Sequence, residues 1–152
     1  MQVAEIMTST SVTESPADSL RSAAETMWRQ QTGSLLVMDG DQLVGIITER
    51  DVMKAIAQGR SVDTPVSDVM TRDVLTIAAT TSLHDAARQM ASRWIRHLPV
   101  VDGDGGVVGL VSQRDLVGVF AALVSDPDGV QLESEQLVRS QRLARIEHGD
   151  LD

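Results

Sequence analysis

The chain has no cysteine and no tyrosine, one phenylalanine and two tryptophans among its 152 residues. Without thiols there is neither a disulfide framework nor a thiolate metal site, and no redox clue to compartment. With so few aromatics, Ala, Val, Leu, Ile and Met must fill the core. No apolar run approaches the about eighteen residues that read as a membrane span, and no charged-then-apolar leader opens the chain. The expected setting is therefore the cytoplasm, with no membrane partner. Basic residues are also scarce: 13 Lys and Arg against 22 Asp and Glu leave a formal charge of -9. A nucleic-acid partner would need a basic face, so none is expected, although a local basic pocket for one small anion stays open. No nucleophile-and-base arrangement, phosphate loop of the Gly-x-x-x-x-Gly-Lys type or Gly-x-Gly-x-x-Gly after a strand occurs. The three histidines, at 84, 97 and 148, have no metal-ligand spacing. Asp102-Gly-Asp-Gly-Gly106 begins like a calcium loop, but Gln113 stands where the bidentate glutamate should close it, so it reads as a polar hairpin turn.

What the chain has is a repeat, in register, at a spacing of 63 or 64 residues. Val3-Ala-Glu-Ile-Met-Thr8 returns as Val66-Ser-Asp-Val-Met-Thr71, Leu20-Arg-Ser-Ala-Ala24 as Leu83-His-Asp-Ala-Ala87, and Gly45-Ile-Ile-Thr-Glu-Arg-Asp51 as Gly109-Leu-Val-Ser-Gln-Arg-Asp115. Such a pattern marks a repeated structural unit. Half the chain, about sixty residues, would bury too little surface to be stable alone, so the copies should share an interior. Two copies packed about a local pseudo-two-fold would turn equivalent residues toward a common cleft. Residues 1–62 form the first copy, 63–124 the second, and 125–152 follow.

In the first copy, Val3 to Met7 is a short amphipathic turn and Ser11 to Thr13 a brief strand. Asp18 or Ser19 can cap a helix whose apolar positions Leu20, Ala23, Ala24, Met27 and Trp28 recur at helical spacing, ending near Gly33. Two apolar runs, Ser34 to Met38 and Leu43 to Thr48, flank a turn at Asp39-Gly-Asp-Gln42. A helix from Glu49 to about Gln58 follows, stopped by Gly59. The second copy repeats this with a helix over 82–94, strands at 98–101 and 107–112, and a helix from Gln113 to about Val124. The unit is strand, helix, strand, strand, helix: an α/β (α+β) arrangement with near-apolar strands covered by helices on one face and the sister copy on the other. Met7, Met27, Met70 and Met90 recur in register and read as core. From Asp126 onward seven acids and three arginines accompany an interrupted apolar stripe, which fits either an appended helix or a loose tail.

The Gly-x-x-[Thr/Ser]-x-x-Asp segments stand where a buried strand becomes a helix. Glycine there lets another backbone or a flat ring approach closely. The hydroxyl and the free amides of the helix start can receive a phosphate, and the Asp can accept hydrogen bonds from the cis-hydroxyls of a ribose. The same spacing is also a capping box, in which the acid reaches back to the cap residue's amide. Ser82-Leu-His-Asp85 has that spacing without the strand and glycine, and serves as an internal control. Arg50 and Arg114, beside the motif acids, can reach a phosphate, a second chain or only water.

The order and spacing of these pieces, with Gly33-Ser-Leu-Leu-Val37 and its partner Arg96-His-Leu-Pro-Val100, resemble a tandem pair of cystathionine-β-synthase-type (CBS) domains, a Bateman module, over about Val3 to Val124. The resemblance implies two β-α-β-β-α units packed through their sheets. It also implies two clefts that take adenosine-containing ligands: AMP, ADP or ATP first, with S-adenosylmethionine or NAD as lesser alternatives, and no required cofactor. Thr48 with Asp51, and Ser112 with Asp115, would meet phosphate and ribose, and Ile46 and Leu110 would flank the adenine. The cleft of Asp115 would add Thr10, Gly33 and Ser34 from the other copy. Paired members often set basic residues where Arg96 and His97 stand, which makes this the better nucleotide site. The implied function is non-catalytic, energy-sensing regulation: occupancy is signalled to a protein partner from a homodimer whose surface includes Trp28 and Trp94, unless these are buried within one chain. The 28 residues after Val124 leave no room for a catalytic domain. The rival is an interaction or scaffold protein that keeps the fold and its capping boxes without a nucleotide.

Overall fold

A computed structural model describes residues 1–9 and 12–125, which fall into two compact units that do not follow the sequence repeats. One unit joins residues 1–9 to residues 75–125, and the other comprises residues 12–74. Each repeat's opening turn thus packs with the body of the other repeat. Thr10 and the segment 126–152 lie outside the described residues.

The unit spanning 12–74 contains strand β2 (Thr13–Glu14), helix α1 (Leu20–Gln30), strands β3 (Ser34–Asp39) and β4 (Gln42–Thr48), helix α2 (Glu49–Ala57) and a 3-10 turn at Val66–Asp68. Its sheet runs β2-β3-β4, parallel then antiparallel, with Ile46 bridged to Thr71 at the β4 edge. The expected strand-helix-strand-strand-helix order holds, and the hairpin sits on Gly40 at φ 59. Ser19, the second of the two anticipated caps, takes the Ser22 N–H at 3.1 Å, while Asp18 takes the Ser15 N–H at 2.7 Å. The helix ends at Gln30, three residues before Gly33, and Gln31 caps it in the left-handed region. Alternation along β3 sends Leu35 and Val37 into a core with Leu20, Ala23, Met27, Ile47, Ala55, Val66 and Met70.

The other unit contains a 3-10 turn at Val3–Glu5, strand β1 (Thr8–Ser9), strand β5 (Ile77–Ala78), helix α3 (Leu83–Arg93), strands β6 (His97–Val101) and β7 (Val107–Ser112), and helix α4 (Gln113–Ser125). Its sheet order is β1-β7-β6-β5. The two-residue β1 has no apolar run to announce it. It is held antiparallel on β7, Thr8 opposite Leu110 and Ser9 opposite Gly109. Val3 and Ile6 anchor this segment in a core with Ile77, Leu83, Ala86, Met90, Leu98, Val100, Val111, Leu116 and Val119. Both hairpins carry a bulge at the same place, Val37/Met38 and Val100/Val101. The methionines fill core space as expected, Met27, Met70 and Met90 buried and Met7 packed against the core.

Candidate functional site

Both motif segments are strand-to-helix junctions closed by the same hydrogen bonds. Thr48 Oγ1 accepts the Asp51 N–H at 3.2 Å, and Asp51 Oδ2 accepts both the Thr48 N–H and the Thr48 hydroxyl at 2.9 Å. Ser112 Oγ accepts the Asp115 N–H at 3.2 Å, and Asp115 Oδ2 accepts the Ser112 N–H at 2.7 Å and its hydroxyl at 2.8 Å. The capping reading therefore holds at both junctions. In both acids all the capping falls on Oδ2, and Oδ1 accepts nothing among the described residues. A carboxylate has about four acceptor positions, so each acid keeps acceptor capacity beyond its cap. The control differs on this point. Asp85 Oδ2 takes the Ser82 hydroxyl at 2.8 Å, but Asp85 Oδ1 already meets Arg88 at 3.3 Å, and no bond returns to the Ser82 amide.

The motif glycines answer to a backbone. A Cβ on Gly109 would lie 2.9 Å from the Thr8 carbonyl oxygen and 2.7 Å from the Met7 sulfur, and one on Gly45 would lie 3.0 Å from the Thr71 carbonyl oxygen and 2.5 Å from the Met70 sulfur. Of the two possibilities, a ring or another backbone, it is the opening turn of the other repeat that occupies this space. The signal was present in the sequence: those turns repeat at the same spacing as the glycines.

Strand alternation then decides which face carries the chemistry. Leu35, Val37 and Ile47 enter the helix-covered core, so Ser34, Ile46 and Thr48 share the opposite sheet face; Leu98, Val100 and Val111 likewise send His97, Leu110 and Ser112 to theirs. Within the unit 12–74, Ser34 stands opposite Thr48, and the Glu49 N–H donates to the Gly33 carbonyl at 3.0 Å. In the other unit His97 stands opposite Ser112, and the Gln113 N–H donates to the Arg96 carbonyl at 2.8 Å. The structure therefore brings Gly33 and Ser34 to Thr48 and Asp51, and Arg96 and His97 to Ser112 and Asp115. Asp115 is buried at 8% exposure, Asp51 is half-buried, Arg96 is exposed and His97 half-buried. Arg50 and Arg114 are exposed, as are both tryptophans.

One buried charge escaped the reading of the sequence. Glu14, on β2, is buried and accepts the Ser22 hydroxyl at 3.2 Å. Burial raises its carboxyl above the ordinary range, and the neighbouring Asp18 pushes the same way, against hydrogen bonding from Thr26 and Ser22. The Asp102 turn is likewise closed by its own backbone: Asp102 Oδ1 accepts the N–H groups of Asp104 at 3.0 Å and Gly106 at 2.9 Å. Among the described residues no group of three or more His, Asp or Glu is placed to hold a metal ion, and no helix is long and apolar enough to cross a membrane.

Residues 3–58 and 66–122 each match the model of the CBS domain. The CBS domain-containing protein YhcV of Bacillus subtilis is 37% identical over 115 residues, 75% of this chain and 81% of that one. Among solved structures, the CBS domain pair of protein MJ0100 in complex with 5′-methylthioadenosine and S-adenosyl-L-methionine aligns at TM-score 0.75 and 30% identity, covering 80% of this chain and 97% of that one. CBSX2 in complex with AMP aligns at TM-score 0.68 and 30% identity, covering 82% and 97%.

Proposed function

Because this chain belongs to the CBS domain family, we propose that it is a non-catalytic, cytoplasmic regulatory module that binds an adenosine-containing ligand and signals occupancy to a protein partner. The observation that carries the reading is the uncommitted Oδ1 of Asp51 and Asp115, present in both motif acids and absent from the control Asp85. A capping box needs one oxygen, and a ribose needs the other. AMP, ADP and ATP are the first candidates, since related structures hold AMP, S-adenosylmethionine and 5′-methylthioadenosine. Ser112 and Asp115, with Leu110, Arg96 and His97, form the stronger candidate site, and Thr48 and Asp51, with Ile46, the other; Gly33 and Ser34, which the resemblance assigns to the site of Asp115, stand beside Thr48 and the start of α2 within their own unit. Thr10 is carried over from the resemblance alone.

The test separates ligand from cap. Asp115→Asn keeps a carbonyl oxygen for the Ser112 amide but loses the charge and one acceptor, so nucleotide affinity should fall about tenfold or more with little change in melting temperature. Equal losses of stability and affinity would return the residue to capping and favour the scaffold reading.

A homodimer belongs to the same proposal. Met53 and Ile56 on α2 are exposed, and their equivalents 64 positions on, Val117 and Phe120 on α4, are exposed as well. Large apolar residues left open at i, i+3 on both copies of one helix describe an association surface. Trp28 and Trp94, 59% and 92% exposed, add to what one chain leaves open.

A further inference from the structure

The apolar residues left open on α2 and α4, from which the homodimer is proposed, include one with a chemistry of its own. Met53 is 66% exposed, the most open of the seven methionines. Met27, Met70 and Met90 are buried, and Met7 and Met38 are half-buried. Met1, 41% exposed, sits at the start of α3, where its carbonyl accepts the Leu83 N–H at 3.3 Å. Helix α2 turns Ala55 into the core, with Val52 packed beside it, and leaves Met53 and Ile56 on its open side. The equivalent pair on α4, Val117 and Phe120, holds no sulfur. The chain has no cysteine, so methionine supplies all of its sulfur, and oxidation of such groups follows their exposure.

We propose that Met53 is a peroxide-oxidisable site whose sulfoxide releases the homodimer, so that oxidant sets the association state of the module; this role rests on the dimer reading above. The reaction balances without a cofactor. The thioether sulfur attacks one oxygen of hydrogen peroxide, and an S–O bond forms as the O–O bond breaks. The departing hydroxide takes the proton of the transferred oxygen and leaves as water, with sulfur oxidised and peroxide reduced. The product carries a polar S=O where an apolar thioether stood. Burying that group against a second copy, with no donor to meet it, opposes association. Within one chain nothing is lost, because Met53 lies outside the core that holds α2. The free chain of the association equilibrium is the form that reacts, and oxidation then keeps it free by mass action. Return requires a methionine sulfoxide reductase, whose thiols become a disulfide as the oxygen departs as water.

The experiment is sedimentation velocity of the full chain before and after hydrogen peroxide, on wild type, Met53→Leu and Met53→Gln, with peptide mapping by mass spectrometry to find which methionines gain oxygen. Leucine keeps the apolar bulk without the sulfur, and glutamine brings polarity without the oxidant. Untreated wild type and Met53→Leu should be dimers. Peroxide should oxidise Met53 ahead of Met27, Met70 and Met90 and raise the dimer dissociation constant of wild type about tenfold or more. The melting temperature, read at a concentration where the chain is monomeric, should not change. Met53→Leu should stay dimeric in peroxide, Met53→Gln should be weakened to a similar degree without it, and a sulfoxide reductase should restore the treated wild type. A dimer that survives complete oxidation of Met53, or a Met53→Leu chain that dissociates in peroxide as wild type does, overturns the proposal and leaves the dimer standing. A monomeric untreated wild type removes the dimer reading and this one with it.

Discussion

At the scale of single residues, the proposal asks each motif acid to serve fold and function with its two carboxylate oxygens. Oδ2 of Asp51 and Asp115 fixes a helix start, and that bond orients Oδ1; on the proposed reading, capping would pre-position the ligand group instead of competing with it. The glycines carry an equally specific demand. Gly109→Ala would place a Cβ 2.9 Å from the Thr8 carbonyl oxygen, and because backbone yields poorly, calorimetry should show a loss of about 1–3 kcal/mol. Glu14 gives a pH prediction. Its folded pKa is raised, chiefly by burial, so as pH climbs through the ordinary carboxylate range the unfolded chain releases its proton first. The folded state then pays for keeping the proton or for burying the charge, and stability falls with pH until the raised folded pKa is passed. Glu14→Gln should melt higher than wild type at neutral pH, with the gap closing toward pH 4; a gap that persists unchanged in acid would refute the assignment. Nothing in the sequence announces this residue. Thr13-Glu14 looks like an exposed polar pair, and the counterpart of Glu14 in the second copy, opposite Val100 as Glu14 is opposite Val37, is the buried Ile77.

Among elements, the helices and the central hairpins were legible because their apolar residues recur at helical spacing or run unbroken between turn residues. Leu20, Ala23 and Met27 sit where that spacing puts them. The opening turns were legible as segments and not as partners. Val3 and Ile6 show their apolar face, but only the fold reveals that the face belongs to the unit beginning at Leu75. A two-residue strand such as β1 carries no periodicity from which pairing could be read. The sites follow the same division: the motif residues stood out by repetition, whereas the backbone occupying the glycine's space and the register pairing Ser34 with Thr48 needed the sheet. Helix ends supply a prediction of their own. Trp94 closes α3 at φ 55 while 92% exposed, a conformation that glycine adopts without strain. Trp94→Gly should therefore raise the unfolding free energy by a few tenths to about 1 kcal/mol, measured by urea denaturation at a concentration where the chain is monomeric. A loss of stability there would mean that the indole packs within its own chain.

For the whole molecule, the proposed regulation would be a population shift. A ligand alters the output only by as much as it favours one arrangement over another, commonly about 1–3 kcal/mol. The dimer surface is open to direct test. Phe120→Glu should turn a dimer into a monomer by sedimentation velocity, while a monomeric wild type would remove the dimer from the account. The claim on which everything else rests is that the chain binds an adenosine ligand through its motif acids. Isothermal titration of the nucleotide-stripped protein with AMP, ADP, ATP, S-adenosylmethionine and NAD tests it most directly. Saturable binding of at least one of them, weakened by Asp51→Asn or Asp115→Asn in a protein that still melts like wild type, is the predicted result. Silence across all five compounds would contradict the account and leave a CBS-fold interaction protein whose aspartates only cap their helices.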